Sequence, residues 1–189
     1  MKMAAENEDL RKLHVVFSPH ALRVAAHEMD PPATNGQAIV SRAGIDPAAE
    51  QKIELHPDSD IGATIASGSY QVDGMAVLPC SSGTLASIAH GISRGLIQRA
   101  ADLTLKERRP LVLALRETPF SLIHAENIVA VTRAGAIVAP PIPAFYAGES
   151  WDRYLEHFAM RVLDLLGVRV DRAELRWDSI RAEGSKRDE

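Results

Sequence analysis

A short polar turn, Cys80-Ser81-Ser82-Gly83-Thr84, follows the apolar run Met75–Leu78 and Pro79. Small side chains there let backbone N–H groups reach an acceptor at the amino end of a following helix. A plain capping turn, with Ser as N-cap, uses the same letters. Arg116-Glu117 ends a second apolar run, Leu111–Leu115. A carboxylic acid beside an arginine can donate a proton if its pKa is raised; the bland alternative is a surface ion pair. Lys106-Glu107-Arg108-Arg109 is a basic cluster, and Arg99 lies about two turns earlier on the same helical run. Such cations can bind an anionic group, arginine bidentately and lysine as a point charge. They also suit the solvated carboxyl end of a helix. Cys80 is the one cysteine, so no internal disulfide and no CxxC pair exist, and it reads as a small buried residue after a strand. The seven histidines show no ligand spacing, so no metal site is expected.

The elements that must position these residues alternate. His14–Phe17 predicts a strand, ended by Ser18-Pro19, with Pro19 suited to open a helix that runs to about Glu28. Residues 31–60 are rich in Pro, Asp, Gly and Ala and predict a surface excursion with a weak strand near Ile53-Glu54-Leu55. Asp58 or Asp60 is a candidate cap for a helix around Ile61–Ala66. A buried strand over Met75–Leu78 leads to a helix from Thr84, and Leu96–Leu105 continues helically. Pro110 opens the strand Leu111–Leu115. A helix over Leu122–Ala134 is stopped by Gly135, and a short strand follows at Ala136-Ile137-Val138. The segment 139–146, APPIPAFY, is extended by its prolines. Trp151–Leu166 is an amphipathic helix with Leu155, Phe158, Val162 and Leu165 on one side, stopped by Gly167. The pattern predicts an α/β fold, a doubly wound, mostly parallel sheet over residues 1–170, with a charged tail over 171–189. Ligands in such sheets sit where strand carboxyl ends and helix amino ends converge.

The totals narrow the classes. At 189 residues and 46% hydrophobic content, one domain with one sizeable core is expected. A net charge of -4 argues against a general nucleic-acid binder, and 5% aromatics against base-stacking platforms. No apolar run reaches about 20 residues, so no membrane span is expected. The acidic start, MKMAAENEDLRKL, lacks the apolar core of a secretory signal, and a cytoplasmic protein is expected.

LPCSSGTLA, RAADLTLKERRPLVLALRETP, and PPIPAFY followed by a helix carrying RVLDLLG resemble the UbiX/Pad flavin prenyltransferase family in order and spacing over roughly residues 14–170. The resemblance implies a Rossmann-like flavoprotein sheet and a homododecamer built from trimers, with active sites at subunit interfaces. It implies transfer of the dimethylallyl group of dimethylallyl phosphate to N5 and C6 of reduced FMN, with no metal. The prenylated FMN would serve a UbiD-type decarboxylase. Carried over residue by residue, Ser18, Ser81, Ser82, Gly83, Thr84, Arg99 and Arg116 would bind the flavin. Lys106, Arg116, Tyr146 and Arg161 would bind dimethylallyl phosphate. Glu28, Lys106 and Glu117 would take part in catalysis, with Glu117 protonating the departing phosphate and Glu28 near the prenyl-accepting edge. Trp177 resembles a tryptophan that walls the pocket.

Two departures stand out. Family members begin with a strand and a turn of the form GxSGASG that wraps the FMN phosphate. Here the first glycine is Gly36, so a central strand and the phosphate-cradling donors are absent, and a truncated chain is the favoured expectation. The stretch between Tyr146 and Arg161 is also one residue shorter than the family spacing. The alternative from another class is a noncatalytic flavin-binding or assembly subunit of a decarboxylase complex. Among enzymes, the related cysteine decarboxylases carry a PxMNxxMW motif where this chain reads PPIPAFY.

Overall fold

The computed structural model describes residues 1–144 and 150–176. Among the described residues, five strands run β1 (Leu13–Phe17), β2 (Ile53–Pro57), β3 (Met75–Cys80), β4 (Leu111–Leu115) and β5 (Ile137–Val138). Among the same residues the α-helices are α1 (Lys2–Ala5), α2 (Pro19–Glu28), α3 (Gly36–Ser41), α4 (Pro47–Glu50), α5 (Ser82–Ala89), α6 (Leu96–Lys106), α7 (Leu122–Arg133) and α8 (Trp151–Leu165). Every strand pairing is parallel, as crossover connections through helices require.

The strands form two sheets, β1-β2 and β3-β4-β5, with no ladder between β1 and β3. The main core lies around β3 and β4, where Val77, Leu111, Leu113 and Leu115 pack against Leu85 and Ile88 of α5, Ala101 of α6 and Val131 of α7. All of β4 is buried, so helices cover it on both faces and its sequence, LVLAL, has no polar alternation. The strand read as ending at Leu78 continues through Pro79 to Cys80. Pro79 has no N–H to give, and the ladder shifts register between Val77 and Cys80.

The segment 31–60 is not a surface excursion. Asn35 caps α3 and Asp46 caps α4, each through a side-chain oxygen. Val40, Ile45 and Ala49 are buried with Ala5, against Leu13, Phe17, Ile53 and Leu55. The small residues that make this stretch look loop-like are what lets short helices lie close to β1 and β2.

Two further expectations change. The helix expected at Ile61–Ala66 is a single 3-10 turn, Thr64–Ala66, with no side-chain cap. Asp58 instead caps α6: its carbonyl accepts from Leu96 N–H at 2.7 Å and its Oδ1 from Ile97 N–H at 3.0 Å. Gly95 precedes α6 because a Cβ there would sit 2.5 Å from Asp58 Oδ2. On α8, Met160, Val162 and Leu163 are the buried residues, whereas Leu155 is 61% exposed, so the apolar face is rotated from the expected one. Met160 and Leu163 pack with Ala4, Val170 and Leu175, which carries the packing into the segment expected as a tail.

Candidate functional site

The parallel pairing places the carboxyl ends of β3 and β4 side by side. Arg116 N–H donates to the Cys80 carbonyl at 3.0 Å, prolonging the ladder by one rung. That bond brings Arg116-Glu117 beside the Ser81–Thr84 turn. Ser81 is the N-cap of α5: its Oγ accepts from Thr84 N–H at 3.2 Å and lies 3.0 Å from Thr84 Oγ1. Ser82 and Gly83 form the first turn of α5, where backbone N–H groups have no intrahelical acceptor. Gly83 presents open space, since a Cβ there would meet nothing nearer than Ser81 Oγ at 4.0 Å.

Glu117 is exposed, and its carboxyl is held below the ordinary range. The Ser82 hydroxyl donates to it, and Thr118 N–H donates to Oε1 at 3.2 Å. In the unliganded chain Glu117 is therefore a carboxylate, the opposite of the raised pKa that a proton donor needs. The Ser82–Glu117 bond links two motifs that sequence spacing treats separately.

Ser18 is the N-cap of α2 and accepts from Ala21 N–H at 3.1 Å through Oγ. It follows the carboxyl end of β1. Asp58, just past the carboxyl end of β2, seats the amino end of α6, which itself lies on the carboxyl edge of the β3-β4 pair. Ser18, Asp58, Ser81–Thr84 and Arg116-Glu117 therefore share one edge of the molecule. Asp58 was assigned to a different helix, and only its loop position before a helix hinted at a cap.

The remaining candidates lie elsewhere. Lys106 ends α6 shortly before β4 begins, so it sits at the amino edge of the strands, about 16 Å away for a five-residue strand. It is 62% exposed and pairs with Glu107 at 3.3 Å. Arg99, in the first turn of α6, pairs with Asp102 at 3.7 Å. Arg161, on α8, pairs with Asp164 at 3.3 Å, and Arg176 holds the same carboxylate at 3.1 Å through both oxygens. Glu28 is the exposed last residue of α2. Tyr146 and Trp177 lie outside the described residues. Among the described residues, the Ser81–Thr84 turn lies beside Arg116-Glu117, while Lys106 lies at the opposite end of β4. Cys80 is fully buried, and burial pushes its thiol up to about 12. Among the described residues, no helix is long and apolar enough to cross a membrane.

Comparison with known proteins fits this layout. The Flavoprotein family pattern matches residues 6–154. The flavin prenyltransferase UbiX of Neisseria meningitidis serogroup B is 50% identical over 115 residues, covering 60% of this chain and 61% of that protein. The chain thus spans about three fifths of the length of that curated relative. A dodecameric FMN-dependent UbiX-like decarboxylase from Escherichia coli O157:H7 is 38% identical, with a TM-score of 0.77 over 90% of this chain and 86% of that one. The structure of AnUbiX (PadA1) in complex with FMN and dimethylallyl pyrophosphate is also 38% identical, with a TM-score of 0.73 over 88% and 83% of the two chains. With its parallel α/β strands, its capped Ser81–Thr84 turn and this likeness over most of its length, the chain belongs to the Flavoprotein family and, within it, to the UbiX-like group.

Proposed function

We propose that this chain is a flavin prenyltransferase subunit that joins the dimethylallyl group of dimethylallyl phosphate to N5 and C6 of reduced FMN. The observation that carries the reading is the shared edge of Ser81–Thr84, Arg116 and Glu117 in a UbiX-like chain. The residues present fit a flavin. Ser82 and Gly83 offer unpaired first-turn N–H groups, and Gly83 leaves room for close approach. Bound reduced FMN supplies the nucleophilic ring that accepts the prenyl group.

The protein's own residues manage the phosphate. Its growing negative charge needs cations as the allylic C–O bond breaks. Arg116 stands beside Glu117 for that purpose. A phosphate dianion near Glu117 opposes the effect of the Ser82 hydroxyl and raises the carboxyl's pKa, so that it can protonate the leaving oxygen. Lys106, Arg99, Arg161 and Tyr146 complete the clamp from neighbouring subunits. Such sharing accounts for Lys106 lying at the far edge of its own chain. Phe120, Leu122 and Ile123 support an oligomer, being 51%, 74% and 68% exposed at the start of α7. The dodecamer of the E. coli relative is the assembly proposed, and a UbiD-type decarboxylase is the proposed recipient of the product.

Titration of the chain against FMN fluorescence, followed by incubation of reduced FMN with dimethylallyl phosphate, tests the reading. Binding and prenylated FMN are expected. Absence of FMN binding overturns it in favour of a noncatalytic assembly subunit. Glu117→Gln and Lys106→Ala should each abolish turnover, and reassembled mixtures of the two should regain part of it. Failure of the mixture to recover would remove the shared-site account of Lys106.

A further inference from the structure

The β1-β2 sheet carries a side-chain cluster that the proposed prenyl transfer does not use. Parallel pairing sets His14 of β1 opposite Glu54 of β2. Side chains on a strand alternate faces, so Glu54 and His56, two apart, point the same way as His14. Their ligand atoms all lie within 4.8 Å of one another. His14 Nδ1 is 2.9 Å from His56 Nε2, His56 Nε2 is 3.5 Å from Glu54 Oε1, and His14 Nδ1 is 3.8 Å from Glu54 Oε2. The imidazoles are well covered, at 12% and 8% side-chain exposure, while Glu54 at 39% faces water.

We propose that His14 Nδ1, His56 Nε2 and the Glu54 carboxylate form a binding site for a divalent transition-metal ion of the zinc type. Two imidazoles and one carboxylate are a zinc donor set that leaves a fourth position for water. Zinc–ligand bonds of about 2.0–2.1 Å give a tetrahedron with edges of about 3.4 Å. With Glu54 Oε1 as the carboxylate ligand, the His14–His56 and His56–Glu54 separations, 2.9 and 3.5 Å, lie on either side of that value. Only the His14–His56 pair must part, by about half an ångström, exchanging one hydrogen bond for two bonds to the ion.

The surroundings fit ligation. His14 Nε2 lies 2.9 Å from the Tyr70 hydroxyl. With Nε2–H donating to that oxygen, the Nδ1 lone pair faces the cluster, which is the arrangement of an oriented metal-binding histidine. Tyr70 is itself fixed: Arg109 donates to the carbonyls of Tyr70 and Gly68 at 2.9 and 3.1 Å. Lys12 pairs with Glu54 Oε2 and leaves Oε1 available. Its side chain is half exposed and can turn into water where the ion needs both oxygens.

The test uses tag-free full chain stripped with a chelator. Zinc is titrated against a competing chromophoric chelator, and cobalt is added in parallel for its visible absorption. One ion per chain is expected, with the intense visible bands of tetrahedral cobalt and a raised Tm in zinc. Glu54→Gln, at a half-exposed position that should not disturb folding, should weaken zinc by roughly 10–100-fold, and Tyr70→Phe by about 10-fold. His14→Gln and His56→Gln should each lose the cobalt bands. Lys12→Ala should retain one ion per chain. The proposal is overturned by no binding at about tenfold excess of zinc. Undiminished binding in Glu54→Gln or loss of binding in Lys12→Ala would overturn it equally.

Discussion

Strands β1 and β4 have the same length and the same parallel pairing, yet every residue of β4 is buried and every residue of β1 is only half-buried. The difference follows from cover. Strand β4 lies in the middle of its sheet, between β3 and β5, and packs under helices, so its residues are apolar and its chemistry is displaced to its carboxyl end at Arg116-Glu117. Among the described residues β1 pairs with β2 alone, and that pair keeps polar groups on its face: His14, Glu54 and His56. A fully covered strand can only position a site. A half-covered one can carry a site within its own ladder.

The largest test of that contrast is stability. Leu113→Ala, at a fully buried position of β4, should cost roughly 2–5 kcal/mol, read from the denaturant midpoint. Val15→Ala in β1 should cost about 1 kcal/mol. Equal losses would mean that β1 is as tightly packed as β4.

Next in size is pH dependence from the β1-β2 side. Burial lowers the pKa of His14 below its ordinary 6.5, against the opposing pull of Glu54 and with His56 and Lys12 reinforcing it. The unfolded chain then binds more protons than the folded one below pH 6.5, so stability rises with pH in that window. Tm should fall as pH drops from 6.5 toward the lowered folded pKa. His14→Gln should flatten part of that slope, and His157, lowered likewise by burial, should account for a further part.

A smaller effect belongs to the β3-β4 edge. Ser82→Ala removes the hydroxyl that holds Glu117 low, so the Glu117 titration followed by NMR should move up toward the ordinary carboxylate range. An unmoved titration would break the link between the two motifs. Smallest of all is Cys80. Fully buried, with its thiol pushed up to about 12, it should stay unmodified by a thiol reagent at pH 8 until the chain unfolds.

The amino-acid sequence determined what depends on near neighbours. The capping alternative read for the Ser81 turn holds, because an N-cap oxygen meets an N–H three residues on, and Ser18 caps α2 in the same way. The β4 run reads correctly because a continuous apolar stretch needs cover on both faces, whereas β3, expected buried over Met75–Leu78, leaves Leu78 and Pro79 exposed. The motif order carried the family. Tertiary structure decided the rest. Asp58 caps a helix that begins 38 positions later, at Leu96. His14 meets Glu54 and His56 only through the β1-β2 register, across a connection containing three helices. Lys106 and Glu117 are close in sequence but lie at opposite ends of β4, because the strand between them spans the sheet. Local spacing fixes contacts within a helical turn. Parallel strands bring together residues whose separation is set by crossovers, and no periodicity in the chain records which of them will meet.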